Sequence, residues 1–382
     1  MKKVYLDANA TTKAFPEVVE AMMPFFSKKF GNASSVHSFG REAKKHLEKA
    51  RRSVASFINA EYPEEVIFTS GGTEANNAAI KGVHSASGKK EKHIISSNVE
   101  HLAVLNVCKG IEEKGVGVTY LGVDKNGIID LKELERSIKN ETILITLIAA
   151  NNETGSVMPI KTVGDIASDR GVYFHIDAVQ YAGKVPLDVQ KTGISLASIS
   201  GHKINGPKGV GALYVKKGVK ISGYLQGGHQ EMNKRAGTEN LPGIVGFSKA
   251  CKINQEKQSV YQDKVYELRN ELFDRINAEI TGVTLNGHPE HRLPNTLNVS
   301  FEGVDKEALV MGLDLEGIAI SAGSACTSGS VEDSHVLKAM GVAPELRKGA
   351  VRFSMDMFNK KEDIEYLMEK LPVIVKRIRN KG

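Results

Sequence analysis

Through about the first 220 residues, short apolar β-branched runs alternate with segments of helical period, the pattern of a parallel sheet covered by helices. Strands are predicted at Val66–Thr69, His93–Ser97, Val118–Val123, Ile143–Ala149, Val172–Ile176, Leu196–Ser200 and Gly211–Val215. Helical period marks Ala103–Lys114 and Leu131–Ile138 between them, and Arg41–Ile58 ahead of the first. The class is α/β. From about Ser259 the order changes to a long charged helix, the strand Thr296–Phe301, the helix Lys306–Leu315, a glycine-serine loop, the strand Ala350–Met355 and a closing helix. That change predicts a large domain over 14–258 and a smaller α+β domain from 1–13 and 259–382. No repeat, low-complexity tract or proline-rich linker separates the two, so close packing is expected.

At 382 residues and 41% apolar content, the chain is long enough to bury a real core. Its formal charge of +6 arises from 51 basic and 45 acidic residues mixed along the sequence, which gives little reason to expect direct nucleic-acid binding. The three cysteines, Cys108, Cys251 and Cys326, are widely spaced without a CxxC pair. That argues against a disulfide framework or a structural zinc site and for a reducing compartment. The start Met1 to Asp7 lacks a basic stretch followed by an apolar one, and no run of about 18 apolar residues occurs. A cytoplasmic, soluble protein with no membrane contact is expected.

Four segments can carry chemistry. At Thr69-Ser-Gly-Gly-Thr-Glu74 an apolar strand ends in two glycines and a helix opens, so backbone N–H groups and the Thr73 hydroxyl converge on a spot suited to phosphate. A plain strand-to-helix connection fits that turn equally well. Val172 to Gln180 is an apolar strand ending on a carboxylate, which makes Asp177 a site candidate as well as a possible cap. Lys203 follows an almost uncharged strand and enters a loop rich in glycine. Partial burial there would favour the free amine that a Schiff base needs. Lys208, nearer the next strand, reads as structural or solvent-facing. Arg352, alone in the apolar run Ala350-Val-Arg-Phe-Ser354, either lines a cleft to grip a carboxylate or sits on an edge strand.

Cys108 and Cys251 lie in apolar helix patterns, where a buried, inert thiol is the common outcome. Cys326 instead sits in Ser321-Ala-Gly-Ser-Ala-Cys-Thr-Ser-Gly-Ser330, a run with too little side chain to form core, and reads as a reactive loop thiol. His101 and His202 are each either hydrogen-bonded structural histidines or proton-moving ones. No histidine pair has HExxH spacing, so no metal site is expected.

Taken together, these segments resemble the NifS/IscS-like cysteine desulfurases, within the aminotransferase-like fold of pyridoxal phosphate enzymes. The likeness runs nearly end to end through Tyr5-Leu-Asp-Ala-Asn-Ala-Thr-Thr12, Phe30 to His37, Thr69 to Glu74, Glu100-His101, Asn151-Asn-Glu-Thr-Gly155, His175 to Gln180, Ser200-Gly-His-Lys203, Gly206 to Gly211, Arg235 to Asn240 and Gly323 to Ser328.

The resemblance implies a fold-type I pyridoxal phosphate enzyme with a mixed, mostly parallel seven-stranded sheet, active as a homodimer on L-cysteine. It implies Lys203 as the Schiff-base lysine, Asp177 as partner of the pyridinium nitrogen, Gln180 as donor to the ring oxygen and His101 as the residue stacked on the ring. Gly72, Thr73, Ser200 and His202 would hold the phosphate, with Thr238 reaching it from the other subunit. Asn152 and Arg352 would bind the substrate carboxylate, and Asn152 also borders the cofactor. Cys326 would form the persulfide and pass sulfur to an acceptor such as an iron-sulfur scaffold. An unperturbed thiol near pKa 8.5 is only about 3 per cent thiolate at pH 7, so a local base is expected, with His101 the candidate.

Departures from the family pattern fall at Met232-Asn233, where Arg-Gly is usual, at Lys348 for a usual histidine, and at Asp356-Met357 for a usual Gly-Arg. The chain ends at Arg379-Asn-Lys-Gly382 without the longer tail of relatives that dock a scaffold. Two other readings are set against the desulfurase. An aminotransferase needs no cysteine at 326, and a non-catalytic sulfur carrier has no need of Lys203, whereas selenocysteine chemistry would look the same in sequence.

Overall fold

In the computed structural model, which describes residues 2–323 and 333–380, the strands predicted in the first 220 residues all join one seven-stranded sheet. After β1 (Val4–Tyr5), the sheet strands are β2 (Val66–Thr69), β3 (His93–Ser97), β4 (Gly117–Leu121), β5 (Thr142–Ile148), β6 (Tyr173–Asp177), β7 (Leu196–Ser200) and β8 (Gly211–Val215). They lie in the order β2-β8-β7-β6-β5-β3-β4. Only β8 runs antiparallel to its neighbours. β5 reads Thr-Ile-Leu-Ile-Thr-Leu-Ile and is buried throughout, as expected for a parallel strand covered on both faces. β4, at the sheet edge, is buried only at Leu121.

This topology positions the site. Because β8 reverses direction, the link from β7 is a short loop rather than a crossover helix, and that loop begins with Gly201-His-Lys203. The C-terminal ends of the parallel strands, including Asp177 of β6 and Ser200 of β7, therefore lie at the sheet end where Lys203 emerges.

The remaining strands are β9 (Val283–Leu285), β10 (Thr296–Phe301), β11 (Ile318–Ala319) and β12 (Ala350–Ser354). β10 pairs antiparallel with β9 and β12, while β11 pairs parallel with β1. A core cluster separate from that of the large sheet gathers Val4, Leu6, Leu272, Phe301, Phe353 and Leu371.

Ser259, where the order of elements was expected to change, lies inside one continuous helix, Leu241–Glu279. No glycine or proline follows Gly246 in this helix, so nothing interrupts its hydrogen-bond ladder. Its first half supplies Phe247 and Ile253 to the large core, and its second half supplies Val265 and Leu272 to the other. Element ends shift by a residue or two from the predicted ones, as at β4, β5 and β6, and the helix expected from Arg41 starts at Ser38 behind the cap His37. β1, β9 and β11 were not predicted, being two or three residues long with no periodic signal. Among the described residues, no helix is long and apolar enough to cross a membrane.

Candidate active site

The carboxylate that ends β6 is buried at the floor of a cleft. Asp177 Oδ2 accepts a hydrogen bond from Asn76 Nδ2 at 2.7 Å, and Oδ1 accepts from the Val179 N–H at 3.0 Å. Asn76 comes from the helix Gly72–Ala86, whose cap Gly71 has φ 153°. A Cβ on Gly72 would lie 2.6 Å from Val179 Cγ2, so only glycine lets this helix N-terminus approach the turn after β6. The first-turn N–H groups of the helix consequently face the cleft beside Thr73, Ser200 and His202.

Lys203 ends the 3-10 turn Gly201–Lys203 and is half-buried. Its Nζ donates to the carbonyl oxygens of Asn9 at 2.5 Å and Ala10 at 2.8 Å. His101 both lines the cleft and caps the helix Leu102–Glu112, its Nδ1 accepting the Ala103 N–H at 3.0 Å. The neutral ring therefore carries its proton on Nε2. His202 meets Thr11 Oγ1 through Nδ1 at 3.1 Å. Burial, with Lys203, Lys208 and Lys184 nearby, pushes its pKa down to about 4, so it is neutral at pH 7.

Arg352, on β12, is almost fully buried. Its Nη2 donates to Asp7 Oδ1 at 2.7 Å and Nη1 to the Asn152 carbonyl at 2.9 Å, leaving buried Nε without a partner among the described residues. β12 ends the order of its three-stranded sheet, with Arg352 bridged on the outer side by Ser321, and the guanidinium lines the cleft.

The cleft thus brings together Gly72, Thr73, His101, Asn152, Asp177, Gln180, Ser200, His202, Lys203 and Arg352. Thr238 is exposed and does not line it. Cys326 lies outside the described residues. Cys108 and Cys251 are buried, and burial raises both thiol pKa values, that of Cys108 to about 12. Lys208 is exposed and lines a neighbouring depression with Thr73 and His202.

The chain matches the aminotransferase class-V family over residues 4–367. It is 47% identical over 378 residues to a cysteine desulfurase IscS of Dictyoglomus turgidum, an alignment covering 99% of this chain and 96% of that protein. The chain belongs to the NifS/IscS-like cysteine desulfurases. The solved structure of a NifS-like protein superposes on this cysteine desulfurase fold with a TM-score of 0.93 at 38% identity, covering 98% of this chain and all of that one. A structure described as SspA in complex with cysteine superposes with a TM-score of 0.83 at 34% identity, covering 92% and 99% of the two chains.

Several residues of this cysteine desulfurase cleft escaped the sequence reading of roles. Asn9, Asp7 and Asn76 orient residues that were predicted, and Lys184 lies behind them. Glu100, next to His101, is fully buried, and burial raises its pKa to about 8 although the Ser97 hydroxyl donates to Oε1 at 2.5 Å. The motif Tyr5 to Thr12 contained the signal for Asp7 and Asn9, in two polar side chains within a run that is otherwise apolar or hydroxylic. At the departures from the family pattern, Glu231, Met232 and Asn233 all have positive φ. Glu231 locks that segment by a buried fork to Arg51, at 2.7 and 2.8 Å. Lys348 is exposed at the end of the helix Pro344–Lys348, whereas Asp356 is buried and accepts from Asn205 Nδ2 at 3.0 Å.

Proposed function

We propose that this chain uses pyridoxal 5'-phosphate to convert L-cysteine to L-alanine, leaving the sulfur as a persulfide on Cys326. The observation that carries the reading is the convergence in one cleft of Asp177 and Lys203, from the ends of the adjacent strands β6 and β7, with Arg352 of β12.

The residues present suit the cofactor. Gly72 leaves a cradle at a helix N-terminus that a Cβ would fill, and a buried carboxylate and a lysine amine share the same cleft. Two buried polar atoms there, Asn76 Oδ1 and Arg352 Nε, lack protein partners among the described residues. When bound, pyridoxal phosphate supplies an aldehyde that condenses with amines and a ring that stores the electron pair released at the substrate α-carbon.

In this reading Lys203 would hold the cofactor through its amine, and its Nζ, when free, would move the substrate α-proton. Asp177, oriented by Asn76, would keep the ring nitrogen protonated, Gln180 would donate to the ring oxygen and His101 would lie against the ring. Gly72, Thr73, Ser200 and His202 would hold the phosphate, joined by Thr238 of a second copy. Asn152 and Arg352 take the substrate carboxylate. The Cys326 thiolate would attack the cysteine sulfur, so that an S–S bond forms as the C–S bond breaks, the electron pair of that bond stays with the β-carbon, which takes up a proton, and alanine leaves.

A homodimer is supported by the exposure of Thr238 away from its own cleft and by the exposed apolar side chains Met23, Phe26, Phe30 and Phe39. The scattered cysteines support a reducing, cytoplasmic setting, and an iron-sulfur scaffold is the acceptor we favour. We divide the chain at 258/259 into a large cofactor domain and a small domain completed by 1–13, with the helix Leu241–Glu279 bridging them. The test is to supply pyridoxal phosphate and L-cysteine to the purified protein and quantify alanine and protein-bound sulfane sulfur. Cys326→Ser is expected to lose the bound sulfur, and sulfide release at the parental rate from that variant would refute the persulfide role.

A further inference from the structure

Behind the cleft lies a buried lysine that the proposed reaction does not use. Lys184 is 3% exposed and its Nζ donates to two amide oxygens, Asn9 Oδ1 at 2.9 Å and Gln180 Oε1. An amide bears its acceptor and its donor on opposite branches, so a bond that engages the Gln180 oxygen turns its NH₂ the other way. That NH₂ has two hydrogens. One goes to the Asn9 carbonyl at 2.8 Å, and the residue lines the cleft.

Asn9 is held by the same lysine. Its Oδ1 accepts from Lys184 and from Asn295 Nδ2 at 3.0 Å, while its Nδ2 donates to Thr296 Oγ1 at 2.9 Å and to the Asn152 carbonyl at 3.2 Å. The Asn9 carbonyl in turn accepts from Lys203 Nζ. Lys184 therefore braces both Gln180 and the backbone oxygen that steadies Lys203.

We propose that Lys184 is a positioning residue that fixes the Gln180 amide with its donor toward the cleft, so that a hydrogen-bond donor meets the ring oxygen of bound pyridoxal phosphate. This rests on the cofactor assignment above. Burial and the nearby cations Lys203 and Arg352 lower the Lys184 pKa, with Asp356 opposing. The bracing survives that shift, because a neutral amine still has two hydrogens for its two acceptors.

The test compares equilibrium binding of pyridoxal phosphate with that of 3-deoxypyridoxal phosphate, which lacks the ring oxygen, to apoprotein of the parent, Lys184→Met, Gln180→Leu and the double variant. Lys184→Met and Gln180→Leu are each expected to weaken pyridoxal phosphate about tenfold, the size of one net hydrogen bond. The double variant should be no weaker than Lys184→Met alone, and each variant should weaken pyridoxal phosphate more than the 3-deoxy analogue, which senses only the loosened Lys203 anchor. Lys184→Gln, a shorter side chain that keeps the buried site polar but cannot span both acceptors, carries the same comparison if Lys184→Met fails to fold. Equal penalties for both ligands, fully additive losses or no loss would overturn the positioning role. A parent protein that binds neither ligand would instead overturn the cofactor assignment.

Discussion

Asp7 Oδ1 and Arg352 Nη2 meet at 2.7 Å across 345 residues of chain, tying the start of the sequence to the strand that borders the cleft. The guanidinium is buried whereas the carboxylate is partly exposed, so the cation is neutralised by a partner that water can still reach.

Removing that partner's charge should leave Arg352 dependent on a ligand carboxylate. Asp7→Asn is expected to cost about 2 kcal/mol of stability, because it weakens the pairing of a buried charge. In thermal unfolding, L-alanine should raise the Tm of Asp7→Asn more than that of the parent, since its carboxylate replaces the missing counter-charge. Equal ligand-induced shifts would show that Arg352 does not receive that carboxylate.

Asp177→Asn should leave the fold intact, because the amide oxygen can accept from the Val179 N–H while its NH₂ donates to Asn76 Oδ1 once the Asn76 amide turns over. It removes the negative charge assigned to the ring nitrogen, and alanine formation is expected to fall by about 10²-fold or more. Steady-state alanine production with the cofactor-loaded variant checks this.

How far the sequence reached is visible in these pairs. The short apolar runs between turn residues revealed β2, β3, β7 and β8 to the residue, and strand-end chemistry pointed to Asp177 and Lys203. Asp7, Asn9 and Asn76 were missed because their roles exist through partners far away in sequence, 345 residues for Asp7 with Arg352 and 101 for Asn76 with Asp177, and Lys184 because its bond to nearby Gln180 gains meaning only with Asn9, 175 residues away. Local pattern carries no register for such contacts. The 258/259 boundary fell inside a helix for a related reason: the partner core changes along its length while the helical period does not.

Glu100 makes stability depend on pH in a defined sense. Its pKa is about 8 in the fold, above the 4.5 of an ordinary glutamate, so the native state keeps a proton that the unfolded chain gives up. The associated stabilisation is complete below about pH 4.5 and is lost as pH rises through about 8, at no more than about 1.4 kcal/mol per pH unit. Glu100→Gln mimics the protonated acid and should flatten urea-unfolding stability across this window. His202 and His175 act oppositely. Their pKa values of about 4 and about 3 mean that the unfolded chain binds more protons below about 6.5, so stability falls as pH drops from there.

Met232 occupies left-handed backbone, at φ 55°, with its side chain 39% exposed. Met232→Gly should relieve about 1–2 kcal/mol of steric strain against a smaller entropic cost, for a net stabilisation of about 0.5 kcal/mol. Chemical denaturation of the variant measures it, and a loss of stability would mean that the Met232 side chain contributes packing that outweighs the strain.

The most direct test of the central claim follows the sulfur. The protein loaded with pyridoxal phosphate is mixed with radiolabelled L-cysteine without reductant, and alanine and the label on the peptide containing Cys326 are measured together. The parent is expected to yield both in equal amounts, and Lys203→Ala neither. Alanine at the parental rate from Lys203→Ala, or label on Cys108 or Cys251 in place of Cys326, would contradict the account.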